Sequence, residues 1–255
     1  MTRKFGWKRD SDDTRDWKFK ALLKHIALDE IPASVDLTDN MTPVENQQDI
    51  GSCTANAAVG AMEYLEWKRT QKRFWCFKQY RDLSRLFVYY NTRLLEGTVD
   101  VDAGASIRNT VKALAKHGVC DERIWPYEPS KWDDRPKDEA YDKALKRCVK
   151  DYYRVNTVDE ILQALALGFP VCFGAMIFDG FMGVDRTGKV GMPKAGEAPM
   201  GGHAMLIVGY DREDKECLVR NSWGTNWGKS GYCYFPFEYL AVPTGLASDF
   251  WVIRS

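Results

Sequence analysis

The sequence predicts an α+β fold of two packed lobes, one mainly helical and one mainly β. Three observations carry that expectation. Helical periodicity dominates the first half of the chain, and short β-like runs broken by glycine-rich turns dominate the second. The 255 residues, 45% of them hydrophobic, suffice for one large core or two small ones. Helices first and strands later is an α+β order, and the cleft between two such lobes is a common ligand site. The expected division is a short arm (1–30), a mainly helical lobe (31–150) and a mainly β lobe (151–255), with the terminal segments crossing between lobes.

The first thirty residues are dense in both charge signs and carry Phe5, Trp7, Trp17 and Phe19 without sustained periodicity, so they read as an appended arm. Further on, Gln47-Gln48-Asp49-Ile50-Gly51 is a polar, glycine-broken loop. Ser52 caps a helix beginning at Cys53. Positions 53, 57, 60, 61, 64 and 65 share one face of it, with small residues that allow close packing. Ser84–Leu95 reads as a second helix, and Ser106–Lys116 as a third that ends at His117-Gly118. In the second half, Val158–Leu167 is a short helix. Val171–Ile177, Ala204–Tyr210, Cys217–Asn221 and Gly231–Phe235 are β-like.

Lys plus Arg equals Asp plus Glu at 36 each, which argues against a nucleic-acid partner held by phosphate neutralisation and against a polybasic membrane anchor. The N-terminus lacks the apolar core of a secretory signal, and no apolar run reaches the length of a membrane span. The expected setting is cytoplasmic, with reduced thiols and export by a signal-independent route left open. Seven cysteines show neither CxxC nor zinc-type Cys/His spacing, so no metal or cofactor is expected.

Only three histidines can supply a base. His25 lies beside Lys24 near the arm and reads as a solvated surface residue. His117 suits the carbonyl end of its helix. His203 follows Gly201-Gly202 at the start of an apolar strand, where its ring is approachable. Asn221-Ser222-Trp223-Gly224 reads either as a turn filled by tryptophan or as an asparagine that orients an imidazole under an indole. Cys53 sits at a helix N-terminus, where a thiol is readily made a thiolate, although a small buried residue would also fit there.

Together these residues resemble the papain-like cysteine protease family, whose nucleophilic cysteine precedes a distant histidine and asparagine. Ile31-Pro32-Ala33-Ser34-Val35-Asp36-Leu37 is similar to the mature start of such enzymes. Gln47 stands six residues before Cys53, the family spacing for the oxyanion-hole glutamine. Ala103-Gly104 falls at the family's glycine pair, Trp125-Pro126-Tyr127 resembles its Tyr-Pro-Tyr, and His203 to Tyr210 and Asn221 to Gly228 match its histidine and asparagine segments. The resemblance implies an α+β, two-lobe fold with a helical lobe, an antiparallel β-barrel-like lobe and the active site in the cleft between them, in which Cys53 is the nucleophile, His203 its ion-pair partner and Asn221 the residue that holds the ring. It also implies an oxyanion site formed by the Gln47 side chain and the Cys53 N–H. Substrate would run along Ala103 and Gly104 and beside Gly202, with Trp223 shielding the histidine. Ala247, Ser248 and Asp249 would line the pocket for the second residue before the cleaved bond, which is expected to prefer a bulky apolar side chain unless Asp249 points into it.

Thr54, Ile50 and Gly202 depart from the family pattern, and loss of the usual disulfides is expected. The arm is too short for a helical prosegment. It is expected to lie across the cleft as an intramolecular inhibitor, with Phe5, Trp7 or Trp17 in substrate pockets, or else to pack elsewhere on the surface. The function implied is a cysteine endopeptidase acting on peptides or proteins. A related exopeptidase or transpeptidase, or a non-catalytic peptide-binding module, are the alternatives, and the oligomeric state is open.

Overall fold

The structure, a computed structural model, describes residues 3–21, 26–71 and 80–255; His25 lies outside them. The elements in chain order are β1 (Trp7–Lys8), β2 (Ser34–Asp36), α1 (Cys53–Gln71), α2 (Arg85–Glu96), β3 (Ala105–Ser106), α3 (Ile107–His117), α4 (Asp138–Ala144) and β4 (Asp151–Val155). They continue with α5 (Val158–Ala166), β5 (Val171–Ile177), α6 (Asp179–Met182), β6 (Gly201–Asp211), β7 (Glu216–Arg220), β8 (Tyr232–Pro236), α7 (Phe237–Leu240) and β9 (Ala247–Arg254).

The helices start and stop for local reasons. Ser84 Oγ accepts the Phe87 N–H at 3.1 Å to begin α2, and Gly97 ends it in the left-handed conformation. Ser106 does the same for α3, taking the Asn109 N–H at 3.3 Å. Helix α1 begins at Cys53 as expected, but the Ser52 hydroxyl pairs with the Tyr127 hydroxyl (2.6 Å) and Asn56 Nδ2 (3.0 Å). Small residues bring α1 tight against the sheet: a Cβ on Gly60 would already touch Leu206 at 3.4 Å.

One antiparallel sheet runs in the order β4-β9-β5-β6-β7-β8, with β2 added on β6. β4 and β8 are its two ends, so it is open rather than closed into a barrel. Its core stacks Phe173 on Phe250 and sets Phe235 edge-on against Phe173. Sequence periodicity misses β4 and β9. β9 lies between two other strands and is buried at every position but its last, so it shows no alternation to read.

The arm does not stand apart. β1 pairs in parallel with β3, Phe19 is fully buried, and the Arg154 N–H bonds the Trp17 carbonyl at 2.7 Å. Asp10 accepts from Trp251 Nε1 (2.8 Å), the Arg108 N–H (3.1 Å) and Arg154 (3.2 Å). Asp16 is bound by Arg108 and faces Arg154 at 3.7 Å. These charges tie the arm to α3, β4 and β9 through buried, mutually hydrogen-bonded groups, the setting in which ion pairs hold geometry firmly.

Candidate active site

Three segments distant in sequence meet behind the arm. Cys53 opens α1, its sulfur facing the backbone N–H groups of Gly6 and Ala204. His203 precedes Ala204 on β6, and its Nε2 lies 2.8 Å from Asn221 Oδ1. The same Oδ1 accepts the Ser222 N–H at 2.7 Å, which fixes the amide with its oxygen toward the ring. An oxygen acceptor requires the proton on Nε2, so Nδ1 is the basic nitrogen, and among the described residues it has no hydrogen-bond partner. Trp223 stacks on the imidazole at 4.9 Å and 27°, and Phe181 packs edge-on against both rings. These indole and phenyl faces keep water from the His203–Asn221 bond, which strengthens it.

Gln47 is fully buried and held at both ends. Its Oε1 accepts the Ser222 hydroxyl at 2.7 Å, which turns Nε2 toward the Ile50 carbonyl (3.0 Å) and the Lys4 carbonyl of the arm (3.1 Å). Its main chain is fixed by Gln47 N–H to Ser222 O (2.8 Å) and Tyr127 Oη to Gln47 O (2.8 Å).

The arm fills the cleft. Gly6 O accepts the Ala105 N–H at 2.7 Å, and a Cβ on Gly104 would lie 2.1 Å from that oxygen. Gly104 is also left-handed (φ +71°), so both its conformation and this approach require glycine. Ala103, one residue earlier, bonds through its N–H to Val101 O at 2.8 Å. The Trp7 indole lies over two more bare positions: a Cβ would meet it at 1.9 Å on Gly174 and at 2.7 Å on Gly202. Its Nε1 donates to Asp249 Oδ2 at 3.2 Å, beside the Asp10 N–H at 2.7 Å. Phe5 packs against His203 and Trp223, and the Arg3 guanidinium lies over the Trp223 ring, 4.2 Å from its centroid. Trp17, by contrast, is 62% exposed and packs on Tyr153.

Asp249 is buried, left-handed (φ 56°) and paired with Arg154 at 2.8 Å, beside a register shift of β5 on β9. That guanidinium is shared with Asp10 and Asp16 of the arm. Ser248 is buried, and its hydroxyl has no hydrogen-bond partner among the described residues.

Burial sets the electrostatics of the covered site. Cys53 and His203 are both fully inaccessible. Burial pushes the Cys53 thiol up to about 11, against the pull of the surrounding N–H groups. Burial pushes His203 down to about 4; the Asn221 bond opposes this and the Arg3 charge adds to it. With the arm in place, thiol and imidazole are both neutral at pH 7. Sequence reading missed Asp102, Tyr89, Ser222 and Gly174 as parts of this site. Gly174 carried a signal, since a glycine inside an apolar strand often marks a close approach. The others carried none.

The sequence model of the papain family cysteine proteases matches residues 31–239. Over its full length the chain is 38% identical to an uncharacterised peptidase C1-like protein of Acanthamoeba polyphaga mimivirus, covering 88% of it. It is 31% identical to pro-cathepsin H of Bos taurus over 75% of this chain, and spans 55% of that relative's length. Xylellain, a cysteine protease from Xylella fastidiosa, matches with a TM-score of 0.87 and 36% identity, over 100% of this chain and 98% of that one. A digestive procathepsin L 3 of Tenebrio molitor shares the fold at a TM-score of 0.66 and 19% identity, over 88% of this chain and 70% of the other. The chain belongs to the papain family of cysteine proteases, and it is a hydrolase of the thiol-protease class.

Proposed function

We propose that this protein is a cysteine endopeptidase working through Cys53, His203, Asn221 and Gln47, and that its own N-terminal arm holds it latent. The observation that carries the reading is the His203 Nε2–Asn221 Oδ1 bond of 2.8 Å, which leaves a basic, unpartnered Nδ1 beside the strand residue that faces the Cys53 sulfur. When the arm leaves, water and the α1 N-terminus favour charge on the thiol, and Nδ1 takes its proton. The thiolate attacks the scissile carbonyl. Negative charge on its oxygen is met by Gln47 Nε2, where the Lys4 carbonyl now sits, and by the Cys53 N–H. Removing one such donor costs roughly 100- to 1,000-fold in rate. His203 then gives its Nδ1 proton to the leaving amine, and in the second half-reaction takes one from the water that attacks the thioester.

Gly6 supports the inhibitory role of the arm. Its carbonyl uses the cleft wall as an added strand would, and its N–H occupies the sulfur. Trp7 between Gly174 and Gly202 supports a bulky, apolar or aromatic side chain in that pocket. A basic one is not favoured, because Asp249 already carries Arg154.

The test compares the wild-type chain, a full-length Gly6→Ala chain that loosens the arm, and Cys53→Ala. They are treated with a peptidyl epoxide and mapped by mass spectrometry. Fast labelling of Cys53 alone, faster in Gly6→Ala, is expected. If Cys53 reacts no faster than Cys148 in either chain, it is not an activated nucleophile.

A further inference from the structure

We propose that the arm is divided in two at residues 11–15, the site of an activating cut: the residues before it leave as the latch, and Asp16 and those after it stay as a permanent part of the enzyme. This rests on the peptidase reading above. The cut is hydrolysis of one peptide bond, with water supplying the hydroxyl to the new carboxylate and the proton to the new amine. A second protease molecule makes it, because this chain's own cleft is filled by its arm.

The arm is pinned on both sides of this segment. Before it, the Asp10 side chain is fully buried against Trp251 and Arg154. After it, the Trp17 carbonyl accepts the Arg154 N–H at 2.7 Å, Lys18 bridges to the same strand residue, and Phe19 is fully buried, edge-on to Tyr153. Between them Ser11, Asp12, Thr14 and Arg15 are exposed, and Arg15 pairs with Asp13 of its own turn. Among the described residues, the body's one hydrogen-bonding group that reaches 11–15 is Arg108, at Ser11. Exposed backbone without ladder partners is where proteases act.

The buried charges divide at the same place. The Arg108 side chain is 6% exposed, and among the described residues its one ion pair is with Asp16. Loss of the whole arm would strand that guanidinium without a counter-charge, a strongly destabilising state. Asp10 is the opposite case. Its partner Arg154, at 3.2 Å, also holds Asp249 at 2.8 Å and faces Asp16 at 3.7 Å. Asp10 can therefore leave without stranding a cation, and its departure ends its repulsion with Asp249. Trp251 Nε1 and the Arg108 N–H are neutral donors that water can take up in the emptied space. Apolar packing agrees: removing Phe19 would leave a cavity, whereas removing residues 3–8 empties the cleft that substrate fills. While the arm is whole, the latch rebinds at an effective concentration on the order of millimolar; once cut, it dilutes away.

The experiment digests full-length wild-type and Cys53→Ala chains briefly with trypsin and, separately, with subtilisin. N-terminal sequencing locates the first cut in the arm, and gel filtration removes what dissociates. That cut is expected within 11–15 in both chains, after Arg15 for trypsin, and should leave a folded core without the latch. In the wild-type core, Cys53 should react with iodoacetamide roughly 100-fold faster or more, and millimolar synthetic peptide of residues 1–11 should slow it again. Asp16→Asn should lower the melting temperature of the cut core by roughly 5–15 °C; Phe19→Leu gives a milder loss should that chain fail to fold. An arm that stays uncut, or is cut first elsewhere, overturns the proposal. So does a cut within 11–15 after which the latch stays bound and Cys53 stays slow, or a cut core indifferent to both substitutions. A latch-free core whose Cys53 reacts no faster than Cys148 marks the different failure, that of the peptidase reading, since the cut position and the melting are read without activity.

Discussion

Gly6→Ala isolates the latch from the chemistry, because it alters no residue of the cleft. A Cβ at position 6 would lie 2.0 Å from the Gly51 oxygen and 2.5 Å from its carbonyl carbon. Gly51 cannot retreat: its N–H is bound to Asp102 and its far side abuts Gly104. The arm strand must lift instead, and the 2.7 Å bond from Ala105 N–H to Gly6 O goes with it. Overpacking of this kind costs about 1–3 kcal/mol, and a lost hydrogen bond about 1 kcal/mol more if nothing replaces it. Since water re-forms part of that bond, about 2 kcal/mol is a reasonable net loss, or roughly 30-fold in the docked-to-free ratio. Asp10, Asp16 and Phe19 keep the rest of the arm in place, so only residues 3–8 are expected to lift. The assay is the rate of Cys53 carboxamidomethylation by iodoacetamide at pH 7, read by peptide mapping. In the wild type the thiol, pushed up to about 11, supplies on the order of one thiolate in ten thousand at that pH. The variant should react roughly 30-fold faster, within about a factor of three. Equal rates in the two chains would show that the arm does not control the thiol.

Gly104→Ala should separate access from chemistry: a Cβ in the cleft wall abolishes peptide hydrolysis while raising the iodoacetamide rate, because the same Cβ displaces Gly6. Asn221→Ala in the Gly6→Ala chain removes the partner of His203 Nε2 and should lower kcat/KM by about 10-fold or more, with a changed pH profile. The latch should also respond to acid. Burial and the neighbouring Asp249 charge push docked Asp10 from 3.8 up to about 6. Between those pH values the docked arm holds a proton that a released arm gives up, so docking tightens as pH falls from 6 toward 4 and loosens as pH rises through 6. The groups facing Asp10 are Arg108 from α3, Arg154 from β4, and Asp249 and Trp251 from β9. The ratio of wild-type to Asp10→Asn alkylation, measured from pH 4 to 7, should rise as pH rises, because only the wild type has a proton to lose there; a flat ratio would remove Asp10 from the latch.

What the sequence by itself determined is whatever neighbouring residues decide. Ser84 and Ser106 can only cap the turns that follow them, Gly97 ends α2 because it tolerates a left-handed backbone, and Cys53 lies at a helix start because a glycine-broken loop precedes it. The order of Gln47, Cys53, His203 and Asn221 was legible for the same reason, each lying in a short motif of its own. Tertiary structure alone decided how these motifs are wired. Ser222 turns the Gln47 amide from 175 residues away, and Lys4 meets Asp102 across 98. Four aromatics in the arm look equivalent in sequence. Only Phe5 and Trp7 enter the cleft beside His203, because bare Gly104, Gly174 and Gly202 leave room there, while Phe19 is buried elsewhere and Trp17 stays outside. The neutral state of the thiol and imidazole is likewise invisible in one dimension, since burial by a segment about fifty residues upstream of Cys53 sets it.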